Sequence, residues 1–155
     1  MLENHDQLRA ARHFGKGPAL RNWTAFMMLA EGTFFAYMGQ ELAIEERPSL
    51  FESDPVDWTK GDAAFAAWFT KAQLASKAIR SREPLFDARE LASGVALVER
   101  RGGARPVAAL LNLDGRSGPL ELPFPLAGTE LLSGARIDLA GSIEIPAEPL
   151  LVELD

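Results

Sequence analysis

The residues best equipped for chemistry stand together at the start of the chain, in the run Glu3-Asn4-His5-Asp6-Gln7, with Arg9 and Arg12 close behind. Two carboxylates, an imidazole and two amides fall within five positions. Such a set binds polar groups and polarises them, or contributes ligands to a metal. One His and two carboxylates are an incomplete metal set, and His13 is too remote in sequence to complete it without help from the fold. Spacing alone favours a polar terminal run or a helix cap. A functional reading therefore depends on the elements that would place these side chains.

Composition narrows the partners. The chain has 155 residues, 47% of them hydrophobic and 25% charged, which is ordinary for a globular protein. It is too short for a complete (β/α)8 barrel, which takes about 250 residues. The formal net charge is −6 and no basic run stands out, which argues against nucleic acid as a partner. With no cysteine, disulfides, thiolate metal sites and cysteine nucleophiles are excluded. No apolar run approaches the ~18 residues of a membrane span, and MLENHDQLRAARHFG lacks the hydrophobic stretch of a signal peptide. The compartment stays open.

The first half reads as helices and a buried strand. Leu20, Trp23, Phe26, Met27 and Ala30 follow helical spacing from Pro18 to Ala30, with Pro18 suited to the first turn and Gly32 to the end. The continuous apolar run Thr33–Met38 predicts a fully buried strand of the parallel-sheet kind, broken by Gly39. Arg47–Lys60, with two prolines and no periodicity, reads as a loop. Asp62–Arg82 reads as a long helix with Asp62 as its cap and Pro84 past its end. Its apolar stripe comprises Phe65, Trp68, Phe69, Ala72, Leu74, Ala75, Ala78 and Ile79.

Past a boundary at residues 83–88 the pattern changes to short β-like runs between turn residues. These are Gly94–Glu99, Val107–Asn112, Gly118–Phe124, Thr129–Leu132, Arg136–Leu139, Ser142–Ile145 and Leu150–Leu154, with a hairpin turn at Arg101-Gly102-Gly103. They predict a small antiparallel sandwich.

Read together, three segments resemble the α-amylase family of glycoside hydrolases. Met1-Leu2-Glu3-Asn4-His5-Asp6 resembles the family's F-x-x-N-H-D region, and Gln7 and Arg9 match the frequent N-H-D-Q-P-R continuation, with Leu8 in place of Pro. Gly32–Glu41 (GTFFAYMGQE) resembles G-T-P-F-I-Y-Y-G-x-E, with Phe34 replacing Pro and Met38 the second aromatic. Arg47–Trp58 resembles the loop R-P-S-L-F-E-x-D-P-x-D-W of some members. The three stand in the family's order and spacing.

The resemblance implies an α/β segment, residues 1–85, made of the last two β/α units of a TIM barrel, followed by a small all-β antiparallel sandwich domain, residues 86–155. Asn4-His5-Asp6 would then end barrel strand seven, Thr33–Met38 would be strand eight, and the chain would be the last third of a larger enzyme. Barrel enzymes keep their chemistry at the C-terminal ends of the strands. Retaining glycosidases break the bond with two carboxyl groups, which the family places on strands four and five, outside this chain. The resemblance gives Asp6 the role of transition-state stabiliser, holding ring hydroxyls of the distorted sugar. It gives His5 and Asn4 substrate-binding roles, with His5 donating to hydroxyls of the same sugar. It implies no cofactor and no metal, and an α-glucan or oligosaccharide substrate for the parent enzyme.

Glu41 is a further candidate at the catalytic face, with a solvated loop carboxylate as the alternative. Trp58 is a candidate platform for a sugar ring, with anchoring of its loop as the alternative. Tyr37 reads as core or rim, and Trp23, Trp68 and Phe69 as core. Glu52, Asp54 and Asp57 read as turn formers, without calcium-loop spacing. A competing reading makes the chain a non-catalytic β-rich module that binds carbohydrate or protein, its helical half a relic. For a segment lacking six barrel strands, the expectation is a loosely packed, self-associating N-terminal half beside a folded β domain.

Overall fold

The computed structural model describes residues 1–155. Three helices come first: α1 (Ala10–Phe14), α2 (Pro18–Leu29) and α3 (Ala63–Arg82). Single 3-10 turns at Gln40–Leu42 and Trp58–Lys60 mark the long connection between α2 and α3. Pro18 opens α2, where its missing N–H costs nothing. Asp62 caps α3, its Oδ1 accepting from the N–H groups of Ala64 and Phe65 at 2.9 Å each. The helix stops at Arg82, two residues before Pro84.

Eight strands follow: β1 (Leu85–Ala92), β2 (Val95–Arg101), β3 (Val107–Asn112), β4 (Pro119–Glu121), β5 (Leu126–Glu130), β6 (Arg136–Leu139), β7 (Ser142–Glu144) and β8 (Leu150–Leu154). Six form one antiparallel sheet in the order β1-β2-β3-β8-β5-β6, and β4 pairs with β7 in a second small sheet. All six residues of β3 are buried. Alternation along a strand explains this. Val107, Ala109 and Leu111 face the helices, packing with Ala25 and Leu29 of α2 and Ile79 of α3. Ala108 and Leu110 face the other way, toward Leu120 of β4 and Leu126 of β5. The molecule is thus layered: helices, large sheet, small sheet. At Gly128 the β5 backbone lies so close to β8 that an added Cβ would sit 1.8 Å from the Glu153 carbonyl oxygen.

The structure departs from the sequence reading in four places. Thr33–Met38 is neither a strand nor fully buried: no residue before Leu85 enters a ladder, and Phe35 and Met38 are about half exposed. A parallel strand exists only beside neighbours, and this chain supplies none. The expected α/β pattern at 1–85 is therefore present only as its helices and connections. On α2 the buried residues are Leu20, Asn22, Thr24, Ala25, Met28 and Leu29, not Trp23, Phe26 or Met27. This helix is wedged between α1, α3 and the sheet, so two of its faces are covered. On α3 the stripe narrows to Phe65, Phe69, Ala72, Ser76 and Ile79, leaving Leu74 and Ala78 exposed. Strand β1 was not expected, because as an edge strand it shows little apolar alternation.

Nor is the helical half loosely attached. Arg100 on β2 is buried and donates to the carbonyl oxygens of Leu29 (2.8 Å), Ala30 (3.0 Å) and Pro84 (3.0 Å), satisfying the end of α2 where helical partners run out. Buried Asn22 donates to Ala147 O (2.8 Å) and accepts from the Asn112 N–H (2.8 Å).

Candidate functional site

Asn4, His5 and Asp6 form a surface turn at the N-terminus. Asn4 Oδ1 accepts from the Asp6 N–H at 2.8 Å, a short-range bond typical of Asn in turns. His5 Nε2 lies 3.2 Å from Asp6 Oδ2, and both side chains are more than half exposed. The three residues are adjacent; His5 and Asp6 are open to solvent and Asn4 is half-buried. Arg47 donates from Nη1 to the Asp6 carbonyl oxygen at 3.4 Å, drawing the start of the Arg47–Trp58 segment to the same turn.

Beneath the turn, two members of the N-terminal cluster meet as a pair that spacing did not foresee. Glu3 and Arg9 are 1% and 0% exposed. Arg9 Nη1 faces Glu3 Oε1 at 3.1 Å as a Coulombic pair rather than a well-aligned hydrogen bond. The other Glu3 oxygen accepts from the Ala10 N–H at the start of α1. The rest of the Arg9 fork points across the chain: Nε donates to Ile44 O (3.1 Å), Nη2 to Met38 O (2.8 Å), and the guanidinium lies 5.1 Å from the centre of the Tyr37 ring. Burial pushes the Glu3 carboxyl above the usual carboxylate range. The Ala10 N–H and Arg9 oppose that rise, and the nearby Glu41 carboxylate adds to it. The signal in the sequence was an acid and a base flanking Asn4-His5-Asp6, each charged type rarely buried without a partner.

Of the other candidates, Glu41 lies half-buried in the Gln40–Leu42 turn, close enough to Glu3 to act on it electrostatically. Tyr37 is half-buried against Arg9. Trp58 is 51% exposed and opens the second 3-10 turn, where Asp57 accepts from Thr59; it neither stacks on nor bonds to the Asn4–Asp6 turn. The Arg47–Lys60 loop encloses a polar cavity of about 270 Å³ bordered by Arg47, Asp54, Asp57 and Lys60. A wider cleft of about 750 Å³ runs between the end of α2 and α3, remote from His5 and Asp6. No three His, Asp or Glu side chains converge as metal ligands would, and no helix is long and apolar enough to cross a membrane.

The backbone has clear counterparts among solved structures. An α-amylase from Lactobacillus plantarum superposes on 97% of this chain with a TM-score of 0.80 at 22% identity. This is the fold of the C-terminal part of an α-amylase. A maltogenic α-amylase from Thermotoga neapolitana matches 97% of the chain with a TM-score of 0.81 at 19% identity. The α-amylase from Geobacillus thermoleovorans, solved with acarbose, matches 99% with a TM-score of 0.72 at 16% identity. The α-amylase-like chain spans 36%, 39% and 38% of these three structures respectively. Neither a protein-family model nor a curated protein matches the sequence.

Proposed function

We propose that this chain is the C-terminal segment of an α-amylase-family glycosidase acting on α-glucosidic linkages, with residues 1–85 contributing to the catalytic barrel and residues 86–155 forming its C-terminal β domain. The observation that carries the reading is the likeness of nearly the whole chain to the C-terminal part of α-amylases. Asn4-His5-Asp6 on an exposed turn is compatible with it. In this reading Asp6 accepts hydrogen bonds from ring hydroxyls and faces the positive charge that develops at the sugar in an oxocarbenium-like transition state. His5 and Asn4 fix the same sugar. The mechanism is retaining, the bond-breaking carboxylates come from elsewhere in the barrel, and the chain by itself does not hydrolyse glycosides.

The test is a glucan-hydrolysis assay on the purified chain beside its Asp6→Ala variant. No sugar release from either is expected. Release that Asp6→Ala abolishes would overturn the division of labour. In a completed barrel, Asp6→Asn should lower turnover far more than it weakens ground-state binding. His5→Ala should be milder. Lost binding with unchanged turnover would contradict the role of Asp6.

A second reading, a non-catalytic module binding carbohydrate or protein, is favoured by one observation: helices and sheet share a core through Ala25, Leu29, Ile79, Val107 and Leu151. Calorimetric binding of maltoheptaose by the isolated chain, unaffected by Asp6→Ala, would select it.

A further inference from the structure

Arg9 does more than neutralise Glu3. Its guanidinium meets the Glu3 side chain and two distant backbone carbonyls, and so touches both segments that bear candidate site residues. The Glu3 side adjoins the turn with His5 and Asp6. The Met38 and Ile44 carbonyls bracket the Gly39–Ala43 segment, which carries Glu41. The second segment is shaped to receive the fork. Gly39 has φ +87°, and a Cβ there would stand 2.6 Å from Arg9 Nη2. Ala43 is the only residue other than glycine with positive φ, and the Ile44 N–H is turned back to Gly39 O at 3.1 Å. Buried Gln40 fastens the same turn by accepting from the Tyr37 N–H at 3.1 Å.

We propose that Arg9 is a positioning residue, which holds the Asp6 turn and the Glu41 turn in one fixed relation through its ion pair with Glu3 and its hydrogen bonds to Met38 O and Ile44 O. The proposal rests on the α-amylase-like reading for the use of that relation, though not for its existence. A guanidinium carries its donors on separate nitrogens of one rigid plane and so meets partners that lie apart, whereas a lysine gathers its three donors on one atom. Glu3 accepts from the Ala10 N–H with one oxygen and faces Arg9 Nη1 with the other, a pairing that the two oxygens of a carboxylate meet and an amide does not.

Hydrogen exchange on the full chain tests the coupling. Arg9→Lys should reduce amide protection by about tenfold or more in residues 5–8 and 39–44 together, as expected when a shared buried contact is lost. Residues of α3 and of β2–β3 should keep theirs. Release of one turn without the other, or of neither, overturns the proposal. Loss of protection throughout the chain with Arg9→Lys also overturns it, because Arg9 would then serve general stability. A second arm uses an α-amylase barrel completed with this chain. There Arg9→Lys should lower kcat by about tenfold or more while KM changes less than about threefold, since small misplacements of a reacting geometry cost turnover first. If Asp6→Ala abolishes turnover and Arg9→Lys leaves kcat unchanged, the positioning role fails. If Asp6→Ala leaves turnover unchanged, the family reading fails while the exchange result still decides the coupling.

Discussion

Glu3 and Arg9 differ in what their removal should do, although they face each other. Arg9 is fully buried with three acceptors and an aromatic face around it. Arg9→Met leaves those oxygens unpaired and should cost about 3–5 kcal/mol, the usual loss when one member of a buried pair is deleted. Chemical denaturation at neutral pH measures it. Glu3→Gln should cost less than Arg9→Met, because it unpairs one of the two donors that face Glu3, and the burial that raises the carboxyl's pKa offsets part of the lost ion pair. The sign of the pH dependence follows. Glu3 has a raised pKa in the folded state, so the folded chain holds the proton more tightly than the unfolded one. Stability contributed by Glu3 is present below the ordinary carboxylate range and falls as pH rises through the raised value. Denaturation midpoints at several pH values should show that decline in the wild type and its absence in Glu3→Gln. The residues named as a site from their types were legible because Asn, His and Asp stand consecutively. Arg9 stood in the same cluster and matched the motif, but its joining role was not legible, because its partners Met38 and Ile44 are distant in sequence and meet it only in the fold.

Among the elements, those with local signals were readable. Asp62 and Pro84 bound α3 by chemistry that acts within a turn, and the structure keeps both limits. Asp62→Ala should destabilise the chain by about 1 kcal/mol, read from thermal unfolding, because two N–H groups lose their acceptor. Strands β2, β3, β6, β7 and β8 were close to their expected places since apolar runs between turn residues report burial directly. Thr33–Met38 failed because its residues are strand-like but the pairing that defines a strand is not local. With Phe35 and Met38 exposed there and Phe51 94% exposed in the following loop, the α2–α3 connection is where association is expected. Size-exclusion chromatography should show concentration-dependent association that Phe35→Lys diminishes. A concentration-independent monomer would count against this.

At the scale of the molecule, the joint between helices and sheet deserves the sharper expectation. Asn22 joins α2 to Asn112 and Ala147 from a fully buried position. Asn22→Leu strands the buried Asn112 N–H and should cost about 1–3 kcal/mol. Limited proteolysis should cut first in the Arg47–Lys60 loop, where Phe51 stands out, and leave α3 with the strands; early cleavage inside α2 would show that the joint is weak. Helical periodicity could not announce Asn22, since a polar residue on a helix reads as solvent-facing until a second covering layer is known.

The strand order carries a consequence for how the chain is made. β8 lies between β3 and β5, pairing Val107–Leu110 with Leu150–Glu153 on one side and Gly128–Glu130 with Val152–Leu154 on the other. Until Leu150–Leu154 has left the ribosome, β1-β2-β3 and β5-β6 are two ribbons with no ladder between them. Nascent chains arrested before Leu150 should therefore withstand little pulling force, and a force-sensing stall sequence should register folding only after β8 is clear of the exit tunnel.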